Sequence, residues 1–257
     1  MKQATPKKTT RGRSETDPVD QLRTKVWYRS VQVASGKDKN YALARRIEEL
    51  QGHEEAPPAR TLLRYKNGDR VPQRGEAQAF VVDIAESHFS GTRAYFESPL
   101  WDVLKQRQFS VAQLDSFLQS LGTPVKAILF AERPEADGGP YALTLDFVAA
   151  TRLIALRSFE AFVALVLLVV KSEAIAQPGA RNAARDAYID MQEDMDADPV
   201  IGPFAAEIYR FADKVCSHWH YPTNQKRVAY VEDTHRDNVR AAFERAGAVR
   251  VPWPDKS

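Results

Sequence analysis

The strongest constraint on the fold is an uninterrupted run of ten apolar residues, Ala161 to Val170. A helix over this run has apolar side chains on every face, which is the pattern of a helix buried inside a bundle. The run is too short for a membrane span, which needs about 20 apolar residues. The wider window from Phe147 to Val170 also contains two arginines and a glutamate. We therefore predict a long buried helix that opens at Asp146 or Phe147 and fades near Gln177.

The chain on either side of this helix carries further helical signals. Ser110 to Gln113 forms a capping box, and apolar residues follow it at helical spacing as far as Leu121. More helices are predicted over Ala180–Met195, Phe204–Trp219 and Thr234–Gly247. In contrast, Val125–Glu132 and Tyr141–Leu145 flank a connection rich in proline and glycine, which indicates a two-stranded β-hairpin.

The N-terminal third also contains several short helices. Asp17 followed by Pro18 is a start signal, and Gly36 is a stop signal for the helix between them. Apolar residues recur at helical spacing over Tyr41–Leu50, and Gly52 follows them. Residues 1–17 lack such a pattern and contain scattered basic residues, so they are predicted to be a disordered basic tail.

Two more helices are predicted to complete the N-terminal core. One runs from Glu76 to about Phe89, and a short one runs from Pro99 to Leu104 after the capping residue Ser98. The large apolar side chains Leu100, Trp101 and Leu104 are expected to close this N-terminal core.

Charge is distributed unevenly along a chain whose net charge is only +2. Residues 1–100 contain 18 Lys/Arg against 13 Asp/Glu, whereas residues 151–200 contain 5 against 8. Any contact with a polyanion is therefore expected in the N-terminal third. The single cysteine, Cys216, excludes an intramolecular disulfide framework and suits a reducing cytoplasm, and no signal peptide is evident.

The segment from Thr61 to Pro72 has the most specific pattern in the chain. A basic helix is predicted from about Ala59 to Asn67, with Leu62 and Tyr65 facing inward. Gly68 supplies a left-handed turn after it, and Pro72 prevents the helix from continuing.

This segment resembles the helix-turn-helix of the Cro/repressor-like (Xre-type) family over roughly residues 41–90. The matching positions are Thr61, Leu62, Arg64, Tyr65, Gly68, Arg70 and Pro72. Two features depart from the family: Lys66 replaces its usual glutamate, and residues 53–58 lengthen the connection between the two helices of the motif. The resemblance implies a bacterial or phage transcription regulator that binds duplex DNA, commonly as a homodimer.

The exposed side chains of a recognition helix approach base edges in the major groove. Under the resemblance, the candidate base readers are Arg60, Thr61 and Arg64. Asn67 and Arg70 are candidate phosphate contacts, and Lys66 adds a further positive charge on the same helix.

The sequence contains no complete catalytic or metal-binding motif. Cys216, His218 and His220 form a Cys-x-His-x-His pattern, but residues two apart on a helix point about 200° apart and cannot share one metal ion. Neither a phosphate-binding loop nor a nucleophile elbow nor a zinc-protease motif occurs. We predict no catalytic residue, no metal ligand and no cofactor.

Taken together, these patterns predict a mainly α protein. It has an N-terminal helix-turn-helix-like domain at 18–105 and a C-terminal helical bundle at 106–257, with one small β-hairpin as an option. The first functional hypothesis is a cytoplasmic, homodimeric DNA-binding regulator with no membrane segment. The alternative is a non-enzymatic helical protein-interaction module of a mobile-element or defence system. An enzyme whose site is assembled from dispersed residues is a third hypothesis.

Overall fold

The computed structural model describes residues 16–51, 58–73, 81–105, 108–131, 141–142 and 145–215. These residues are mainly helical, which confirms the mainly α prediction. The helices are α1 (Pro18–Ser35), α2 (Asn40–Gln51), α3 (Ala59–Lys66), α4 (Val81–His88), α5 (Thr92–Phe96), α6 (Leu100–Leu104), α7 (Val111–Gln119), α8 (Thr123–Leu129), α9 (Phe147–Ala155), α10 (Phe159–Ala174), α11 (Pro178–Ala197) and α12 (Ala205–Val215). A 3₁₀ turn, Gly202–Phe204, precedes α12, and two strands, β1 (Phe130–Ala131) and β2 (Tyr141–Ala142), pair antiparallel.

Helix α1 begins and ends where its sequence signals predict. The Asp17 carboxylate accepts a hydrogen bond of 2.8 Å from the backbone N–H of Val19, and Pro18 is the first helical residue. Such a cap contributes about 1 kcal/mol. At the other end, Gly36 adopts a φ of 65°, the left-handed conformation that commonly ends a helix.

The buried apolar residues form two clusters, and α1 contributes to both. The larger cluster surrounds α10, whose residues from Phe159 to Val169 are almost all buried, in agreement with the sequence prediction for Ala161–Val170. The smaller cluster joins α1 to α2, α3, α4 and α5. Its members are Trp27, Tyr28, Val31, Leu43, Ile47, Leu62, Tyr65, Val82, Ile84, Ala85, Phe89 and Phe96.

The prediction that α6 closes the N-terminal core is wrong. Leu100, Trp101 and Leu104 belong to the larger cluster, because α6 packs against α10 and α12 as well as α1. The ring of Trp101 lies 6.4 Å from that of Phe159. The helix also begins one residue later than predicted, since Pro99 occupies the capping position.

The first of the two segments predicted to form a hairpin is mostly helical in the structure. Thr123 and Pro124 open α8, since proline suits the first turn of a helix, and Val125 to Leu129 follow in helical conformation. Within the described residues, Phe130 pairs with Ala142 and Ala131 pairs with Tyr141. The two predicted segments therefore do pair antiparallel, but Val125 to Leu129 take no part in the pairing.

The single long helix predicted from position 147 is broken into α9 and α10. Arg157 has a φ of 47° at the break, a conformation that ends a helix. Ser158 then caps α10, because its hydroxyl accepts a hydrogen bond of 3.3 Å from the backbone N–H of Ala161. Gln177 precedes Pro178, the first residue of α11, so the predicted fading of the buried helix coincides with the start of the next one.

Polar side chains are buried where α11 packs near α12. The Tyr188 hydroxyl donates a hydrogen bond of 3.4 Å to the Asp213 carboxyl, and both residues are almost fully buried. Burial raises the pKa of Asp213 to about 8, although the hydrogen bond from Tyr188 opposes this shift. The Tyr209 hydroxyl donates to the Gln192 carbonyl at 3.1 Å.

Several predictions fall outside the described residues: the basic tail up to position 15, the first part of the helix predicted at 76–89, the end of the helix predicted at 204–219, the helix at 234–247, and Cys216, His218 and His220. In the portion of the chain that the structure describes, no helix is both long enough and apolar enough to cross a membrane.

Candidate nucleic-acid interface

Helix α3 is anchored by two side chains that face inward, as the sequence predicts. Leu62 and Tyr65 are both buried in the smaller cluster. The ring of Trp27 in α1 meets Tyr65 edge-on, with 5.8 Å between ring centroids. This contact, together with the packing of α2 against α3, sets which side of α3 faces solvent.

The remaining side chains of α3 include every base reader predicted from the sequence. A helix turns about 100° per residue, so Arg60, Leu63, Arg64 and Asn67 lie on one face. Arg60 and Asn67 are exposed, and Arg64 is half-buried. Lys66 is exposed at one edge of this face, whereas Thr61 is half-buried on the opposite side, toward Tyr65. We call Arg60, Leu63, Arg64 and Asn67 the outer face of α3.

The turn after α3 continues this surface. Gly68 has a φ of 75°, and its backbone N–H donates to the Tyr65 carbonyl at 3.0 Å. The N–H of Asp69 donates to the Arg64 carbonyl at 2.9 Å, so the turn satisfies two carbonyls at the end of the helix. Arg70 follows and is exposed.

Gly68 also packs closely against α1. A Cβ atom at this position would lie 3.1 Å from the Cβ of Gln21 and 3.1 Å from the Cε of Lys25. Lys25 therefore extends beside the turn and adds a positive charge from a different helix. Sequence reasoning missed Lys25 because it is far from α3 along the chain, and only the packing of α1 against this turn brings it close.

We expect Gly68→Ala to destabilise the fold by about 2 kcal/mol, since left-handed strain costs about 1 kcal/mol and crowding against Gln21 adds to it. Urea unfolding of the variant measures this loss. The matched control is Gly36→Ala, because Gly36 has a similar φ of 65° but no atom within 4 Å of the position a Cβ would occupy. Equal losses of unfolding free energy in the two variants would show that crowding against α1 does not contribute to the effect.

The basic residues of this surface lack ion pairs within the described ranges. No carboxylate there pairs with Arg60, Arg64, Lys66 or Arg70. Many other arginines in the described ranges form ion pairs. For example, a guanidinium nitrogen of Arg93 lies 2.8 Å from a carboxylate oxygen of Asp83. Positive charges that are not neutralised by neighbouring side chains are available to bind an anion.

Two of these charges act on the phenol of Tyr65. Burial raises the pKa of Tyr65, and the positive charges of Arg70 and Arg64 partly offset this shift. Both guanidinium groups therefore act on the same phenol, one from α3 and one from the turn. One acidic residue, Asp69, interrupts the surface, and its carboxylate accepts a hydrogen bond of 3.4 Å from the Asn67 amide.

The structure brings helices α2 and α3 into contact, and α1 packs against α3. Helix α2 ends at Gln51 and α3 begins at Ala59, so a longer connection than is usual in the Cro/repressor-like family joins them. Glu54 and Glu55 of this connection lie outside the described residues. The assignment of the two helices to a DNA-binding motif stays a prediction.

Comparison with known proteins identifies no relative. No protein-family model matches the chain, and neither the curated proteins nor the solved structures contain a match. Within the described residues, no group of three or more His, Cys, Asp or Glu side chains is arranged to hold a metal ion.

Proposed function

We propose that this protein binds duplex DNA through α3 and the turn that follows it, and that it acts as a bacterial or phage transcription regulator. The observation that carries the proposal is the set of exposed or half-exposed cations at Arg60, Arg64, Lys66 and Arg70, which have no carboxylate partner among the described residues. Phosphate groups supply the complementary negative charge in DNA.

The arrangement suggests different roles for these side chains. Arg60 and Arg64 are on the outer face of α3, so they are suited to reach base edges, where arginine commonly binds guanine. Arg70 and Lys25 flank the helix at the turn and are suited to bind phosphates on the walls of the groove. Asn67 is exposed at the end of the helix and is a candidate for a phosphate contact. Lys66 contributes charge from the edge of the face, and Thr61 lies at the opposite edge.

The test is fluorescence anisotropy of a labelled random duplex titrated with the full-length protein at about 50 mM and about 200 mM salt. We expect affinity to fall steeply with salt, because each phosphate contact releases counterions. In the Arg64→Ala/Arg70→Ala variant, the slope of log affinity against log salt should become shallower by about one for each phosphate that the variant no longer binds.

A matched control variant removes two exposed cations from helices that pack in the larger cluster. Arg152→Ala/Lys214→Ala changes the net charge by the same amount, but its substitutions are in α9 and α12. This variant should bind like the unmodified protein. If both double variants weaken binding equally, the effect is one of net charge and the interface is not α3.

The proposal also includes a cytoplasmic location and a homodimer, since regulators of this type pair their two-fold symmetry with that of their DNA sites. Light scattering at micromolar concentration should give the mass of a dimer. A monomeric mass both in solution and on DNA would overturn this part of the proposal.

One observation favours the alternative function. Leu63 is exposed on the outer face, halfway along α3, and helices that enter a groove of another protein use exposed apolar side chains as anchors. Failure to bind the random duplex at low salt would leave this helical protein-interaction module as the better account.

A further inference from the structure

The outer face of α3 contains one residue that its positive charge does not explain. Leu63 is 45% exposed, whereas the other large apolar side chains of the helix, Leu62 and Tyr65, are buried in the smaller cluster. Leu63 therefore adds little to the core. A single exposed leucine is ordinary on a protein surface, so its significance depends on its neighbours.

Those neighbours are polar or positively charged. Arg60 is one turn before Leu63 and Asn67 is one turn after it, while Arg64 is the next residue along the chain, about 100° further round the helix. The Cβ atoms of residues three and four apart on a helix are about 5–6 Å apart, so the isobutyl group of Leu63 lies between Arg60 and Asn67, whose side chains are of the kinds that bind phosphates or base edges. A partner for this face must offer a small apolar group between sites of negative charge.

The major groove of DNA has this combination. Its walls are phosphates, and the 5-methyl group of thymine is its principal apolar feature. The same position in cytosine carries hydrogen, so a methyl contact distinguishes thymine from cytosine without a hydrogen bond. Charge complementarity thus favours duplex DNA over a protein groove as the occupant of this face.

We infer that Leu63 contacts the 5-methyl group of thymine in the major groove and so contributes to the selection of A·T base pairs. This inference rests on the proposed function, and it assigns a specificity role to a residue that sequence reasoning did not include among the DNA contacts. The role belongs to Leu63 because it is the apolar side chain on the outer face, and it requires no movement of the core.

The inference is tested with two duplexes that differ only in the methyl group. One is a duplex of alternating adenine and thymine, and the other has uracil in place of every thymine. The unmodified protein should bind the thymine duplex about threefold to fourfold more tightly for each methyl group that Leu63 covers. Leu63→Ala should bind both duplexes with the same affinity, equal to that of the unmodified protein for the uracil duplex.

Two controls keep the result specific. Val148→Ala truncates another exposed apolar residue, which is 62% exposed and lies on α9 rather than on α3, and it should keep the preference for thymine. Leu63→Met keeps an apolar side chain of similar size and should also retain the preference. Because Leu63 is outside the core, its variants should unfold at the same urea concentration as the unmodified protein.

The outcomes separate this inference from the function on which it rests. Salt-dependent binding of both duplexes with equal affinity by the unmodified protein would overturn the role of Leu63 and leave DNA binding standing. A preference for thymine that persists in Leu63→Ala would also overturn it, since another residue would then contact the methyl group. No binding of either duplex at low salt would overturn the inference together with the proposed function.

Discussion

Trp27→Ala is expected to lower the free energy of unfolding by about 3–5 kcal/mol, the usual cost of removing a large aromatic side chain from a core. Trp27 is almost fully buried and meets the rings of Tyr65 and Phe96 edge-on, each at 5.8 Å between centroids. Removing it takes away the surface against which α3 is oriented. Urea denaturation followed by circular dichroism gives the loss directly.

Trp27→Phe is the matched variant, because it keeps an aromatic ring in the same place. The indole N–H of Trp27 is buried and makes no hydrogen bond within the described part of the chain, so phenylalanine removes no polar interaction there. We expect a cost of about 1–2 kcal/mol, because the missing atoms of the indole leave a small cavity. If Trp27→Ala lost no more unfolding free energy than Trp27→Phe, the packing of Trp27 in the smaller cluster would not be what positions α3. The proposed DNA binding should weaken in Trp27→Ala even under conditions where the variant is folded.

Asp213→Asn is expected to stabilise the protein at pH 8 by about 5 kcal/mol, because the wild-type carboxyl is buried with a pKa of about 8. In the unfolded chain this carboxyl titrates near its ordinary value of about 4. Between these two pH values the folded protein retains a proton that the unfolded chain has released. Stability therefore decreases as pH rises from about 4 to about 8, and the decrease ends above the folded pKa.

The measurement is urea unfolding of both proteins at pH of about 4, 6 and 8, taken as a difference so that all other titrating groups cancel. The difference should be near zero at the lowest pH and should grow toward the highest. Tyr188→Phe serves as a second variant. It removes the hydrogen bond that favours the ionised carboxyl, so the pH-dependent loss should extend to higher pH. Parallel pH profiles for the wild type and Asp213→Asn would show that Asp213 is not protonated in the folded state.

Local signals in the sequence predicted many features of the fold correctly. The cap at Asp17, the glycine stop at Gly36 and the capping box at Ser110 each depend on residues within one helical turn, and each is present in the structure. The inward positions of Leu62 and Tyr65 follow in the same way from helical spacing. Such features need no knowledge of the rest of the chain, so a single sequence is enough to predict them.

The predictions that were wrong have two causes. Some segments carry local signals for two different structures, and other residues are placed by packing against distant parts of the chain. Val125 to Leu129 suit a strand by composition, but Pro124 and the preceding turn start a helix there. The apolar pattern continues across Arg157, so it concealed the break between α9 and α10. Trp101 is large and apolar, so its burial is predictable, but residue type alone does not indicate which of the two clusters it joins.

In the candidate interface too, local spacing predicted some residues and missed others. Its residues on α3 were predicted because they are close together in the sequence and share a helical face. Lys25 was missed because its place beside Gly68 depends on the packing of α1, and Leu63 was missed because its exposure could not be distinguished from burial by residue type. The sequence therefore predicted the chemistry of the surface better than its extent.

The position of α1 has a consequence for how this chain can be modified or recombined. Val19, Leu22 and Val26 face the larger cluster, whereas Trp27, Tyr28 and Val31 face the smaller one. A fragment that ended near residue 105 would leave the first of these two sets without most of its apolar neighbours, and such exposed patches favour aggregation. Grafting α3 onto another scaffold, or exchanging the helices after α6, would require new partners for both sides of α1.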